Sequence, residues 1–235
     1  MSLLQKEPLL LCHFDSTSNG NYFGGVSSAT AKIGNDTSKS KFGDASLKLN
    51  PFTSTDPNYK LLVTLKDKFD FASDFTLSYY KYTNSLANNL NGNGASTTFY
   101  MSFTSLYIRQ YDSSYICENV KGNPASQWID SSTLYSASND VGKWVHMEMS
   151  YTASTRTLRY FRNGLIIVAF VLDGDFYNPT PIIVNIFDDI NISELLVTKD
   201  CLHTANFTPP TEPYSWYNIK NAYRDIPTNK LHGYK

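Results

Sequence analysis

Hydrolysis of a glycosidic bond needs two carboxylates placed on either side of it, one as acid and one as base or nucleophile. This chain has five glutamates, Glu7, Glu118, Glu148, Glu194 and Glu212. Only Glu148 and Glu194 fall in strand-like stretches, and neither has an acidic residue two positions away on its face. His13, His146, His203 and His232 are scattered, and no H-E-x-x-H, G-x-S-x-G or phosphate-cradling glycine loop accompanies them. Cys12, Cys117 and Cys201 are too few and too dispersed for a disulfide framework or a zinc site, and read as buried thiols. These observations argue against catalysis. The metal that suits the chain is calcium, a hard cation held by carboxylate, amide and backbone oxygens. Asp15 opens one oxygen-rich loop (15–21), and D-G-D-F-Y-N offers Asp173, Asp175 and Asn178 in another. Plain turns are the competing reading of both loops.

The other chemistry on offer is aromatic. Residues alternate between the two faces of a strand, so 74–83 sets Phe75, Leu77 and Tyr79 against Thr76, Ser78, Tyr80 and Tyr82. In the same way 97–103 sets Phe99, Met101 and Phe103 against Tyr100 and Ser102. Leu106 and Ile108 oppose Tyr107, Arg109 and Tyr111 in 105–111. The second set in each strand is polar-aromatic rather than charged. Tyr80, Tyr82, Tyr100, Tyr107, Arg109 and Tyr111 are therefore the candidate ligand platform, because amphipathic rings suit half-wet interfaces. Flat rings stack on the apolar face of a sugar, and Arg109, Ser78 and Ser102 offer hydrogen bonds to its hydroxyls. The competing reading is that these tyrosines cover one sheet, beneath another subunit or the chain's own C-terminal arm.

The elements that position these residues are strands. Aromatic residues make up 14% of the chain and charged ones only 17%, with polarity supplied by Ser, Thr and Asn. That mix favours pleated strands and turns over helices. Strand-like runs recur at 60–65, 74–83, 97–103, 105–111, 144–151, 157–162, 165–172, 181–187 and 192–198, with turn-rich segments between them. Asn163-Gly164 predicts a type I′ hairpin, since both central positions need positive φ. L-I-I-V-A-F-V-L (165–172) is apolar on both faces, which predicts a central strand covered on each side. No repeat of propeller or solenoid length is visible.

A net charge of −1 argues against a nucleic-acid binder that works by phosphate neutralisation. No apolar run is long enough for a membrane helix, and no secretory leader pattern opens the chain. After Pro213 the chain turns aromatic and basic, with Tyr214, Trp216, Tyr217 and Tyr223 among Lys220, Arg224, Lys230 and Lys235. This divides it into a body of residues 1–213 and a C-terminal tail or arm of residues 214–235.

Several segments, in order, resemble the concanavalin A-like lectin/glucanase superfamily in the laminin G-like form found in bacteriophage structural and tail proteins. They are L-L-L-C-H-F-D (9–15), K-F-G-D-A-S-L-K-L (41–49), F-D-F-A-S-D-F-T-L-S-Y-Y (69–80), G-K-W-V-H-M-E-M-S-Y (142–151) with T-L-R-Y-F-R-N-G-L-I-I, and the ending I-S-E-L-L-V-T-K-D-C-L-H-T-A-N-F-T-P-P-T-E-P-Y (192–214). Ser193 stands where the family often has an aspartate that helps to hold a structural calcium. The resemblance implies an all-β fold, a two-sheet antiparallel β-sandwich of jelly-roll type. It implies a non-enzymatic module of a phage or prophage particle, found in the virion or outside the cell. Such a module binds host-surface carbohydrate or makes contacts with other virion proteins, and its repetition in a particle suits a homo-oligomer. A glycoside hydrolase or lyase on the same fold is the alternative.

Overall fold

The computed structural model describes residues 2–4, 7–15, 26–30, 35–49, 60–65, 72–85, 100–101, 106–110, 114–119, 126–130, 137–172, 182–185 and 189–216. Among them the protein is all-β: two 3-10 turns (Ala137–Asp140 and Ala153–Thr155) are the only helical pieces. The strands are β1 (Ser2–Leu4), β2 (Leu10–Cys12), β3 (Val26–Thr30), β4 (Asn35–Asp36), β5 (Ser46–Leu49), β6 (Lys60–Leu65), β7 (Phe75–Ser85), β8 (Tyr100–Met101), β9 (Leu106–Gln110), β10 (Ser114–Asn119), β11 (Ser126–Asp130), β12 (Trp144–Thr152), β13 (Thr157–Arg162), β14 (Leu165–Val171), β15 (Ile182–Asn185), β16 (Asp189–Thr198) and β17 (Tyr214–Trp216).

One antiparallel sheet dominates, in the order β14-β13-β12-β7-β16-β5-β4. β5 and β2 take successive stretches of one edge of β16, at Ile190–Ile192 and Leu195–Val197. The order β3-β6-β15-β8 makes a second sheet and β11-β10-β9 a third, while β1 and β17 pair in parallel. The β13–β14 hairpin closes at Asn163 and Gly164, whose φ values of 48° and 75° are those that the turn chemistry requires.

β14 is not central. Among the described residues it ends the large sheet, with Val168 and Phe170 in the core while Leu165 and Val171 stay 57% and 64% exposed. The correction has a simple cause. A run of apolar residues records hydrophobicity, whereas a strand's place in a sheet depends on which other strands find its free edge.

The two faces of the large sheet differ in chemistry. Phe75, Leu77 and Tyr79 of β7 join Val145, Met147, Met149 and Tyr151 of β12 in one buried cluster. Each such side chain contributes on the order of 2 kcal/mol by leaving water. Ile190, Ile192, Leu195 and Val197 extend it across β16. Lys81 also lies on this side, fully buried with its Nζ 3.8 Å from Asp140, which Arg162 binds as well. The opposite face carries Thr76, Ser78, Tyr80, His146, Glu148, Ser150, Asn191 and Ser193, and it too is buried. Burying so many polar groups is tolerable only where they find hydrogen bonds. Their partners define the candidate site.

Candidate functional site

Segment 199–214 runs across this polar face as a strap. Thr76 Oγ1 donates to the Asp200 carbonyl (2.7 Å) and accepts from Leu202 N (2.9 Å). His203 Nδ1 shares a 2.8 Å hydrogen bond with Glu148 Oε1, and Ser150 Oγ donates to the same oxygen at 2.7 Å. Phe207 N donates to the Gly164 carbonyl at 2.9 Å, and the Tyr80 hydroxyl donates to the Pro210 carbonyl. At the far end Tyr214 is buried, with its hydroxyl 3.2 Å from Ser78 Oγ and its N–H donating to Glu194 Oε2 at 3.1 Å. Glu194 reaches that position through a bulge: β16 slips register against β7 between Ser193 and Leu196, and Glu194 adopts φ 57°. The bulge re-aims a side chain that strict alternation would send into the apolar core. The other Glu194 oxygen, Oε1, lies 2.7 Å from His13 Nδ1.

Beneath the strap, Ser78 Oγ lies 2.8 Å from His146 Nε2. A serine against an imidazole is the start of a nucleophile pair, but two further requirements are unmet. Among the described residues His146 Nδ1 has no hydrogen-bond partner to orient the ring. Both side chains are also fully buried, which leaves a substrate no approach. Burial, aided by His203 and Lys41, pushes the His146 pKa down to about 3, so the ring is neutral at ordinary pH. The two strand glutamates are likewise committed to histidines. This half of the face is a polar core.

Beyond the strap the same face opens. Tyr82 and Trp144, cross-strand partners on β7 and β12, are only part-buried and meet edge to face, with centroids 5.5 Å apart. Beside them Asn84 Nδ2 donates to Asp189 Oδ1 (2.9 Å) and Asn191 Oδ1 (2.8 Å). Asn191 Nδ2 in turn donates to Asp36 Oδ2 (2.8 Å) and Ser46 Oγ (3.0 Å). Lys48 pairs with Asp189, and both side chains remain about a quarter exposed, at 24% and 27%. Hydrogen bonds from Ser38 and then Asn191 hold the Asp36 carboxyl below the usual range, so it is ionised at neutral pH. Segment 39–42 borders the patch. Ser46 Oγ donates to the Lys39 carbonyl, Lys39 Nζ stands 5.2 Å from the Tyr82 ring centre, and Lys41 Nζ is 4.9 Å from that of Tyr80. Two aromatic rings in edge contact beside a rim of fixed amides, carboxylates and an ammonium group make a surface suited to a flat, hydroxylated ligand.

The described platform residues expected from the sequence stand in three different sheets. Tyr80 and Tyr82 share a face of β7, but Tyr80 is only 3% exposed under the strap. Tyr100 stands in β8 of the second sheet, and Tyr107 and Arg109 stand in β9 of the third. Alternation sorts residues within a strand and says nothing of which strands pair. Tyr111, Asp173, Asp175 and Asn178 lie outside the described residues, as does the tail after residue 216. Asp15 is part-buried beside Gly43, and burial raises its pKa despite the nearby His13. No group of three or more potential metal ligands occurs among the described residues. Sequence reasoning missed Trp144, Asn84, Asp189 and Asn191, although Asn84 is in phase with Tyr82 and Trp144 is in phase with His146.

No family model and no curated protein matches the chain. Solved structures do. The binding domain of Paraclostridial Mosquitocidal Protein 1 superposes with a TM-score of 0.62 at 16% identity, covering 83% of this chain and 49% of that one. The receptor-binding domain of botulinum neurotoxin type G gives 0.57 at 12% identity, covering 84% and 49%. A botulinum neurotoxin type C structure gives 0.57 at 15% identity, covering 83% and 49%. That toxin is described as depending on interaction with two ganglioside molecules to get into cells. The chain thus spans about half the length of the solved chains it matches, and at these identities the likeness is one of fold. The resemblance to phage laminin G-like domains of the concanavalin A-like superfamily is corrected by these findings, since no family model supports it and the matched structures are toxin binding domains. The motifs behind it, W-x-H, F-x-N-G and A-N-F-T-P-P, encode a strand face, a hairpin turn and a strap over a sheet. Such local solutions are not the property of one family.

Proposed function

We propose that this chain is a non-enzymatic carbohydrate-binding module whose ligand seats on the Tyr82–Trp144 patch. One observation carries the reading: a part-exposed aromatic pair lies beside amide, carboxylate and ammonium groups held in place by their own hydrogen bonds. The ring faces would stack on a sugar's C–H surface, while Asn84, Lys48 and Asp189 meet its hydroxyls. The likeness to toxin binding domains, one of them tied to gangliosides, supports the same reading. The large sheet would be one layer of a sandwich, with another sheet covering its apolar face. A part-exposed aromatic patch of this kind is expected to bind on the order of millimolar per copy, about −4 kcal/mol. Display in several copies would raise it to a useful level. A glycan array followed by NMR titration tests the proposal. Tyr82→Ala and Trp144→Ala are each expected to weaken binding about tenfold while the protein stays folded, a loss of about 1.4 kcal/mol. Binding that ignores both substitutions, or an array with no ligand at all, refutes it.

A second reading, assembly through protein contacts, has one observation in its favour: edge strand β14 leaves Leu165 and Val171 in water. Light scattering at micromolar concentration that gives a monomer removes it.

A further inference from the structure

Two positive charges near the patch meet aromatic rings rather than acids among the described residues. Lys39 and Lys41 are held by aromatic rings: Lys39 by Tyr82, and Lys41 by Tyr80 and Phe42. Neither has a carboxylate partner among the described residues. Three acids near the patch already have partners: Asp189 binds Lys48 and Asn84, Asp36 binds Ser38 and Asn191, and Glu194 binds His13 and Tyr214 N. Tyr80 and Tyr82 are two positions apart on one face of β7, so the rings beneath the two ammonium groups are anchored roughly 7 Å from each other. An ammonium over a ring face is attracted by the ring quadrupole, and its three N–H donors leave capacity for a further acceptor. Segment 39–42 is itself fixed, by the Ser46 bond to the Lys39 carbonyl and by the edge contact of Phe42 with Tyr80 at 5.3 Å. Two anchored positive charges therefore border an aromatic seat on a protein whose net charge is −1.

We propose that the ligand is an acidic sugar, one bearing a carboxylate, and that Lys39 and Lys41 bind that group while the neutral rings of the ligand lie on Trp144 and against the part of Tyr82 that Lys39 leaves open. This rests on the carbohydrate reading above and narrows it to a chemical class. A neutral sugar would leave both charges without a counterpart. A carboxylate between them gains a charge-assisted hydrogen bond from each side.

Matched pairs separate the inference from its premise. NMR titration compares sialyllactose with lactose, and an oligogalacturonate with its carboxyl-reduced form. The acidic member of at least one pair is expected to bind roughly tenfold more tightly, an advantage that shrinks severalfold between about 50 mM and about 500 mM NaCl. Lys39→Gln with Lys41→Gln is expected to bring the affinity ratio between the members of each pair to about one, whatever it does to the neutral member. Lys39→Arg with Lys41→Arg is expected to keep it, and unchanged melting of both variants confirms the fold. If both members of each pair bind equally and the glutamine variants change nothing, the acidic-sugar inference falls and the carbohydrate reading stands. If no sugar of either kind binds, the premise itself has failed. Equal binding of an acidic peptide such as hexaglutamate would also overturn the inference, because charge alone would then suffice.

Discussion

Replacing Gly164 with alanine tests how firmly the strap is pressed onto the sheet. Gly164 has φ 75°, and a Cβ at that position would overlap the Phe207 carbonyl oxygen, 2.9 Å from its carbon and 3.0 Å from Pro209 Cδ. Alanine in this left-handed conformation costs roughly 1–2 kcal/mol in any protein. Moving the strap aside also costs the Phe207 N–H bond to the Gly164 carbonyl, about 1 kcal/mol. It loosens Phe207 as well, whose ring meets Phe161 at 5.3 Å and stacks on His203. With about 1 kcal/mol for the loosened ring contacts the total is roughly 3–4 kcal/mol, or a melting temperature lowered by roughly 6–16 °C for a chain of this size. Gly142 is the internal control, with φ 77° and no atom within 4 Å of where a methyl group would sit. Gly142→Ala therefore meets only the conformational cost, roughly 1–2 kcal/mol. Thermal melts followed by circular dichroism compare the two variants, and hydrogen exchange over 199–214 reports the strap directly. If they melt within about 2 °C of each other, with no faster exchange in the strap of Gly164→Ala, the strap is not held as described.

The folded His146 ring has a pKa near 3 against 6.5 for a free imidazole, so between those values the unfolded chain binds the extra proton and stability falls as pH falls. The slope is up to about 1.4 kcal/mol per pH unit, and urea unfolding at several pH values should show it flattened in His146→Gln. Glu194→Ala removes the carboxylate that both His13 and the Tyr214 N–H bind and is expected to cost about 3–5 kcal/mol in denaturant unfolding; a loss below about 1 kcal/mol would contradict the buried pairing. Val171→Lys, at the exposed edge of β14, should change stability by no more than about 0.5 kcal/mol, whereas a central strand position would lose several.

Much of the local structure was legible in the residues themselves. The strands of β7 and β12, the division of their faces, and the Asn163-Gly164 hairpin rest on period-two alternation and on the φ values of two residues. Those are interactions within a few positions of one another. The site was not legible in the same way. Tyr80 reads as the twin of Tyr82 along β7, yet one is sealed under Pro210 and the other borders an open patch. That difference comes from a strap about 130 residues further along the chain. The His13–Glu194 and Asn84–Asp189 contacts span sequence separations of 181 and 105 residues. Lys39 and Lys41 gain meaning only because segment 39–42 folds over β7. Alternation records which way a side chain points, but the lateral order of strands is chosen by the summed burial of the whole sheet. That choice placed β14 at an edge, covered part of the polar face, and left Tyr82 and Trp144 part-exposed with Lys39 over the Tyr82 ring.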